Sequence, residues 1–285
     1  MTKPKAGLVL HGGAGGFTPR DYTRELAHMR GLIEAGRDRL AGGAAALEVV
    51  VETVAAMEAS GLYLAGRGAF ANTAGRFELD ASVMDGKGRR AGAVAALQGF
   101  ASPIRAARAV LETPQVMLAG ESAADFAAAH GLERVDDDWF TPILPSGRQP
   151  RSTGTVGCAA LDLSGGLAAG TSTGGVRGKP HGRVGDSPIP GAGVWADERV
   201  AVSCTGVGEY FIRAAAAAQL AFRVRLAGET PADAAASVLA DIASLGGAGG
   251  IIALGADGQV VTAFNTPGMQ RAALHPDGRI EAAVF

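Results

Sequence analysis

The sequence predicts an α+β fold: two antiparallel sheets packed face to face between helical layers, a four-layer αββα sandwich forming one domain over residues 1–285. Three observations carry this. Short apolar runs are separated by tight-turn signals such as Asp85-Gly86, Ser164-Gly165-Gly166 and Asp257-Gly258, and strands joined by such turns must pair antiparallel. Each half of the chain has strands flanking a pair of helices, without the persistent strand–helix alternation that builds parallel sheets. Hydrophobic residues make up 47% and charged residues 19% of 285, enough to bury a sizeable core.

The elements follow in order. Gly7-Leu8-Val9-Leu10-His11 reads as a strand ending in the glycine cluster Gly12-Gly13-Ala14-Gly15-Gly16. Residues 21–40 have helical spacing, and residues 44–59 form a second helix with Leu47, Val50, Val51, Val54 and Met57 on one face. Residues 62–72 read as a loop, residues 77–84 alternate like a strand, and residues 91–97 are another. Residues 103–111 and 122–130 read as helices. The pattern then fails: residues 131–154, with Asp136-Asp137-Asp138, three prolines and Ser146-Gly147, read as a solvated linker. Strands resume at 155–163 and 167–173, followed by a polar loop over 174–193 and a strand at 200–205. Helices at 209–226 and 231–244, strands at 250–254 and 260–264, and a hairpin around Pro276-Asp277-Gly278 complete the chain.

Bulk properties narrow the function. A net charge of −2 with no basic stripe argues against nucleic acid as partner. No apolar run approaches the roughly 20 residues that span a bilayer, and residues 1–10 lack the apolar length of a signal peptide, so a cytoplasmic protein is expected. Cys158 and Cys204 lie in apolar runs and read as small buried hydrophobes. Five scattered histidines without a His-Glu-x-x-His motif give no sign of a catalytic metal.

The chemistry gathers around Gly154-Thr155-Val156-Gly157. Alone, this tetrapeptide is an ordinary strand start. A threonine at the start of a chain, however, carries its own base: an α-amine has a reference pKa of about 7.7–8.0, against about 10.4 for lysine. That amine activates the hydroxyl without histidine. Cleavage between Gly154 and Thr155 would create it. Thr173 lies eighteen positions on, and one hairpin returns it to the side of Thr155. Arg183 and Asp186, three apart in a glycine loop, suit the two ends of an amino-acid zwitterion. Thr205-Gly206-Val207-Gly208 ends a strand and opens a helix, offering a hydroxyl and backbone N–H groups as an oxyanion hole.

This ordered set resembles the plant-type asparaginase and isoaspartyl peptidase family of N-terminal-nucleophile hydrolases. The resemblance runs from His11-Gly12-Gly13-Ala14-Gly15 through Glu78-Leu79-Asp80 and the central block to Gly246-Gly247-Ala248-Gly249-Gly250 and Phe264-Asn265-Thr266-Pro267-Gly268-Met269. It implies a self-processing amidohydrolase with Thr155 as nucleophile, Thr173 in support, Arg183 on the substrate carboxylate and Asp186 on its amine. Thr205 and Gly206 form the oxyanion pair, and Gly208 lines the pocket. It also implies residues 1–154 and 155–285 as α and β subunits of an (αβ)₂ assembly, acting on asparagine or β-aspartyl dipeptides. No organic cofactor is implied. The family's sodium-binding loop matches Gly61-Leu62-Tyr63-Leu64-Ala65-Gly66, where leucine replaces asparagine at position 64. The ion would be held by the backbone carbonyls of Met57, Glu58, Ser60, Tyr63, Ala65 and Arg67.

Other readings compete. His11-Gly12-Gly13 with Gly170-Thr171-Ser172-Thr173-Gly174 imitates an esterase, with Ser172 as nucleophile and His275 in a triad, but the nucleophile elbow needs a following helix and a Gly/Pro-rich loop follows instead. A nucleotide-binding module fails because Thr18 stands at the third glycine position and Pro180 follows Gly178-Lys179. An uncut, inactive structural relative is the third alternative, suggested by Leu64.

Overall fold

The computed structural model describes residues 6–15, 18–143 and 154–285. Its strands are β1 (Gly7–Gly15), β2 (Leu79–Asp85), β3 (Arg90–Leu97), β4 (Met117–Ala119), β5 (Val156–Leu161), β6 (Leu167–Thr173), β7 (Val194–Ala196), β8 (Val200–Gly206), β9 (Gly249–Gly255), β10 (Val260–Phe264), β11 (Gly268–Leu274) and β12 (Ile280–Ala283). The helices are α1 (Thr23–Ala41), α2 (Ala46–Ala59), α3 (Pro103–Val110), α4 (Gly120–Ala129), α5 (Gly208–Ala214), α6 (Ala216–Phe222) and α7 (Pro231–Ser244). They make an α+β fold with two sheets, one of eight strands in the order β12-β11-β1-β5-β6-β2-β3-β4 and one of four in the order β10-β9-β8-β7.

Strand alternation explains how the sheets are buried. In β5, Cys158 and Ala160 join a core with α2 residues such as Val50 and Val54, while Ala159 and Leu161 face Ala201, Ile252 and Leu254 of the smaller sheet. Both faces of β5 are therefore apolar, so the strand reads as a continuous hydrophobic run. A third core joins Val202 and Ile251 to Leu220, Ala234 and Val238 of α6 and α7. Cys158 and Cys204 are free and buried, as expected. No helix among the described residues is long and apolar enough to cross a membrane.

Three expectations need correction, and two short strands were not anticipated. The large sheet is not wholly antiparallel: β4 pairs parallel to β3 after the α3 crossover. β4 and β7 have three residues each, too short to show periodicity. The helix expected over 209–226 breaks at Ala215, whose φ of 45° is left-handed. There the N–H groups of Ala217 and Ala218 donate to Ala192 and Gly191 carbonyls rather than to α5, so docking of the preceding loop competes with helix continuity. It ends in a π-helical turn, Arg223–Ala227. Finally, the linker expected over 131–154 is packed over its first part. Phe140 is buried and stacks on Phe77 with ring centroids 4.1 Å apart, and the Ile143 N–H donates to Gly61 O at 2.8 Å. The aromatic pair Trp139-Phe140 anchors an otherwise acidic stretch. Residues 144–153 of the expected linker lie outside the described residues.

Candidate active site

The hairpin of β5 and β6 sets the register. Val156 pairs with Ser172, so Thr155, just before β5, comes beside Thr173 at the end of β6. The two hydroxyls are 3.3 Å apart, with Thr155 Oγ1 donating. Thr173 Oγ1 also accepts from the Gly175 N–H at 3.0 Å. The cleft at this end of the sheet is lined by Thr155, Thr173, Arg183, Asp186, Gly206 and Gly208 among others. It therefore gathers residues 18 to 53 positions apart from the nucleophile candidate that the sequence had named separately.

Two glycine positions are forced by close approach. Gly13 has φ +107°, and a Cβ there would stand 3.0 Å from Gly154 Cα, so only glycine lets β1 pass the Gly154–Thr155 bond. A Cβ on Gly154 would in turn meet the Leu64 side chain at 3.0 Å. Leu64 thus packs against the residue preceding Thr155, and its carbonyl accepts from the Gly174 N–H at 2.7 Å. The loop of residues 60–68 therefore touches both sides of the site. Within it, a Cβ on Gly66 would lie 2.7 Å from Glu58 O, and one on Gly68 would lie 1.8 Å from Tyr63 O. The carbonyls of Glu58 and Tyr63 thus lie against Gly66 and Gly68, while those of Met57 and Ala65 accept from Ser60 and Gly68. Uncharged carbonyl oxygens of this kind suit a hard cation.

Arg183 and Asp186 both reach the cleft, but they are not each other's partners. Arg183 donates through Nε and Nη2 to Glu209, both at 2.9 Å, leaving Nη1 outside that fork. Asp186 is buried, and its Oδ2 has no hydrogen-bond partner among the described residues. A Cβ on Gly208 would stand 2.7 Å from Asp186 Oδ1 and 3.2 Å from Arg183 Nη2, so glycine keeps the two charged groups open at the cleft wall. Burial raises the Asp186 pKa to about 7, against the pull of Arg183. An orphaned carboxylate oxygen in such a place is suited to a cationic ligand.

Thr205 lies at the end of β8, beside β1. Its hydroxyl accepts from the Ala14 N–H at 3.3 Å, fastening the end of β1, while Gly206 and Gly208 line the cleft itself.

Sequence reasoning passed over several groups here. Lys179, within the 174–193 loop, is buried, donates to Glu78 O at 2.7 Å and shares electrostatic contact with Asp80, whose Oδ2 has no hydrogen-bond partner among the described residues. Burial lowers the Lys179 pKa and raises that of Asp80. The available signal was an acid, Asp80, inside the apolar run of β2.

The esterase reading does not survive. Ser172 points to the opposite face of β6 from Thr171 and Thr173, as strand alternation requires. It is fully buried and donates to Glu58 Oε1 at 2.6 Å, and that carboxylate also accepts from Ser102 and the Ile104 N–H. His275 follows Leu274, which pairs with Leu8 at the far end of β1 from His11. Ser172→Ala is therefore expected to cost ~1–3 kcal/mol of stability by removing a donor to a buried carboxylate, while kcat stays within about threefold of wild type. A denaturant melt beside steady-state kinetics checks both.

Comparison with known proteins identifies the family. The asparaginase family profile matches residues 3–145 and 142–284, nearly the whole chain in two adjoining parts. The chain belongs to the asparaginase family. Among its relatives, an isoaspartyl peptidase of Escherichia coli is 43% identical over 94% of this chain and 92% of its own length. A plant-type L-asparaginase of Pyrobaculum calidifontis is 42% identical over 93% of this chain and 95% of its own. A human isoaspartyl peptidase/L-asparaginase is 37% identical over 97% and 95%. Membership in the asparaginase family extends to both halves of the chain, so the Thr155 block and the Leu64 loop fall within the matched region alike.

Proposed function

We propose that this chain is a self-processing amidohydrolase of β-aspartyl amide bonds, an isoaspartyl peptidase and L-asparaginase. Its layers are read as helix, eight-stranded sheet, four-stranded sheet, helix: the αββα arrangement of N-terminal-nucleophile hydrolases. The observation that carries the reading is the Thr155–Thr173 hydroxyl contact at 3.3 Å, in a cleft that also holds Arg183 and Asp186.

In maturation, Thr155 Oγ attacks the Gly154 carbonyl, the C–N bond breaks to free the Thr155 α-amine, and water then hydrolyses the resulting Gly154–Thr155 ester, leaving residues 1–154 and 155–285 as two subunits. The new α-amine of Thr155 then serves as base. In turnover, Thr155 Oγ attacks the side-chain carbonyl of the substrate as its proton passes to the α-amine. Thr173 orients the hydroxyl. Arg183 binds the substrate α-carboxylate through the edge that Glu209 leaves open, and Asp186 binds the α-ammonium. The oxyanion is stabilised at Thr205 and Gly206, where one donor is worth about 2.7–4 kcal/mol. Ammonia or an amino acid leaves with the proton, and water releases aspartate from the acyl-enzyme. Because recognition centres on the aspartyl half, asparagine and β-aspartyl dipeptides are both accommodated.

A sodium ion in the 57–67 loop would be held by the carbonyls of Met57, Glu58, Ser60, Tyr63, Ala65 and Arg67. It would act structurally, keeping Leu64 against Gly154 and its carbonyl on Gly174. The assembly is (αβ)₂, and the protein works in the cytoplasm. Intact-mass analysis of the purified protein tests the reading: two fragments are expected, the second beginning at Thr155. A chain that stays whole yet hydrolyses β-aspartyl dipeptides efficiently would refute it.

A further inference from the structure

His11 is buried on β1 and reaches in two directions. Its Nδ1 lies 3.0 Å from Thr155 O, and its Nε2 lies 2.9 Å from Ser203 Oγ on β8 of the other sheet. Ser203 Oγ is 2.7 Å from Thr171 Oγ1, which is 2.9 Å from Gly193 O. This polar chain crosses between the sheets, where the surrounding core is aliphatic. It exists only because residue 157 is glycine: a Cβ there would stand 1.9 Å from Ser203 Oγ and 2.5 Å from His11 Nε2.

Proton accounting fixes the directions. A carbonyl oxygen only accepts, so His11 Nδ1 must carry the hydrogen that bonds Thr155 O. Burial lowers the His11 pKa to about 3, which makes the ring neutral. Nε2 is then an acceptor, and Ser203 must donate to it. Thr171 can turn its proton to Ser203, because Gly193 O is also served by the Cys204 N–H at 2.9 Å. Thr171 has one proton for Ser203 and Gly193 O, so one of these contacts carries no hydrogen, while the carbonyl acceptor at Nδ1 sets His11 as the Nδ1–H tautomer.

We infer that His11 is a positioning residue for the nucleophile, holding the backbone carbonyl of Thr155 through Nδ1–H and braced from behind by Ser203. The inference rests on Thr155 being the nucleophile. Registered pairing of β5 begins at Val156, so Thr155 lies outside the ladder. Once the Gly154–Thr155 bond is cut, Thr155 becomes a chain terminus tethered on one side only, and free termini fray. Its carbonyl and Oγ hang from the same Cα, so a fixed carbonyl limits the swing that would carry Oγ away from Thr173. A loss of order there lowers kcat and leaves substrate binding at Arg183 and Asp186 in place.

Two isosteres separate the directions. Asparagine at position 11 places an N–H where Nδ1 was, and glutamine places one where Nε2 was. With activity normalised to the cleaved fraction by intact mass, His11→Gln is expected to lose at least about tenfold in kcat, equal to ~1.4 kcal/mol, with KM within about twofold. His11→Asn is expected to stay within about threefold of wild type. Equal loss in both, or greater loss in His11→Asn, overturns the inference. Nitrogen-15 NMR of the histidine-labelled wild type needs no folded variant: a neutral Nδ1–H ring at His11 is expected, and an Nε2–H ring overturns the inference. Thr155→Ala separates the two levels. If it keeps activity, the nucleophile reading itself fails; if it is dead while the position-11 variants match each other, only the role of His11 fails.

Discussion

Thr155→Ala is expected to give a chain that remains in one piece and loses at least about 10³-fold in kcat. Alanine removes the hydroxyl that would attack both the Gly154 carbonyl and the substrate. Without cleavage there is no α-amine base, so nucleophile and base vanish together and only binding and oxyanion donors remain. Stability should change little: among the described residues the Thr155 hydroxyl donates to Thr173 at 3.3 Å, and Thr173 keeps the Gly175 N–H. Intact mass and a thermal melt distinguish this from misfolding. A variant that is still cut between residues 154 and 155, or that keeps a tenth of its activity, would end the nucleophile assignment.

Asp186→Asn has the next largest expected effect, a fall in kcat/KM of about 10²–10³-fold, or ~2.7–4 kcal/mol, because a buried charged partner of the substrate ammonium is lost. The pH dependence gives it a signature. Burial holds the Asp186 carboxyl protonated up to about pH 7, so kcat/KM should fall as pH drops below that value. Asparagine at position 186 should remove that limb and leave the one belonging to the Thr155 α-amine. Stability carries the opposite sign. The carboxyl releases its proton near 3.8 when unfolded and near 7 when folded, so the folded state holds more protons in between. Ligand-free wild type should therefore lose stability as pH rises from 3.8 to 7, and Asp186→Asn should not. Chemical melts across that range, with and without aspartate, read both effects. A wild-type curve as flat as the variant's would show that Asp186 is not held protonated.

Much of the fold was legible because its signals are local. Residues 231–244 form a helix as expected, opened by Thr230, whose side chain accepts from the Asp233 N–H, and by Pro231 in the first turn. The β5–β6 hairpin followed from Ser164-Gly165-Gly166 and fixed Thr155 against Thr173 without any knowledge of the other strands. The misses are non-local. Ala215 is a good helix former, and nothing in its neighbours announces that Gly191 and Ala192 will take the N–H groups of the next turn. The linker was read from its charges, whereas Phe140 is held by Phe77, 63 positions earlier.

The sequence by itself determined the type of fold, the hairpin that pairs the two threonines, and the order of residues that places the chain in its family, because turn chemistry, alternation and motif spacing are written along the chain. Only the tertiary structure decided the electrostatics. Asp186 was known as a residue, but its raised pKa comes from burial, with the charges of Arg183, Glu209 and Asp80 acting on it. Arg183 shares the cleft with Asp186, and its fork onto Glu209 was not legible in the sequence. His11 gained its place behind Thr155 from the packing of one sheet on the other, where Ser203 lies 192 positions away. Desolvation and charge–charge contact depend on distances in space, and those distances are set by packed elements whose separation along the chain carries no record of them.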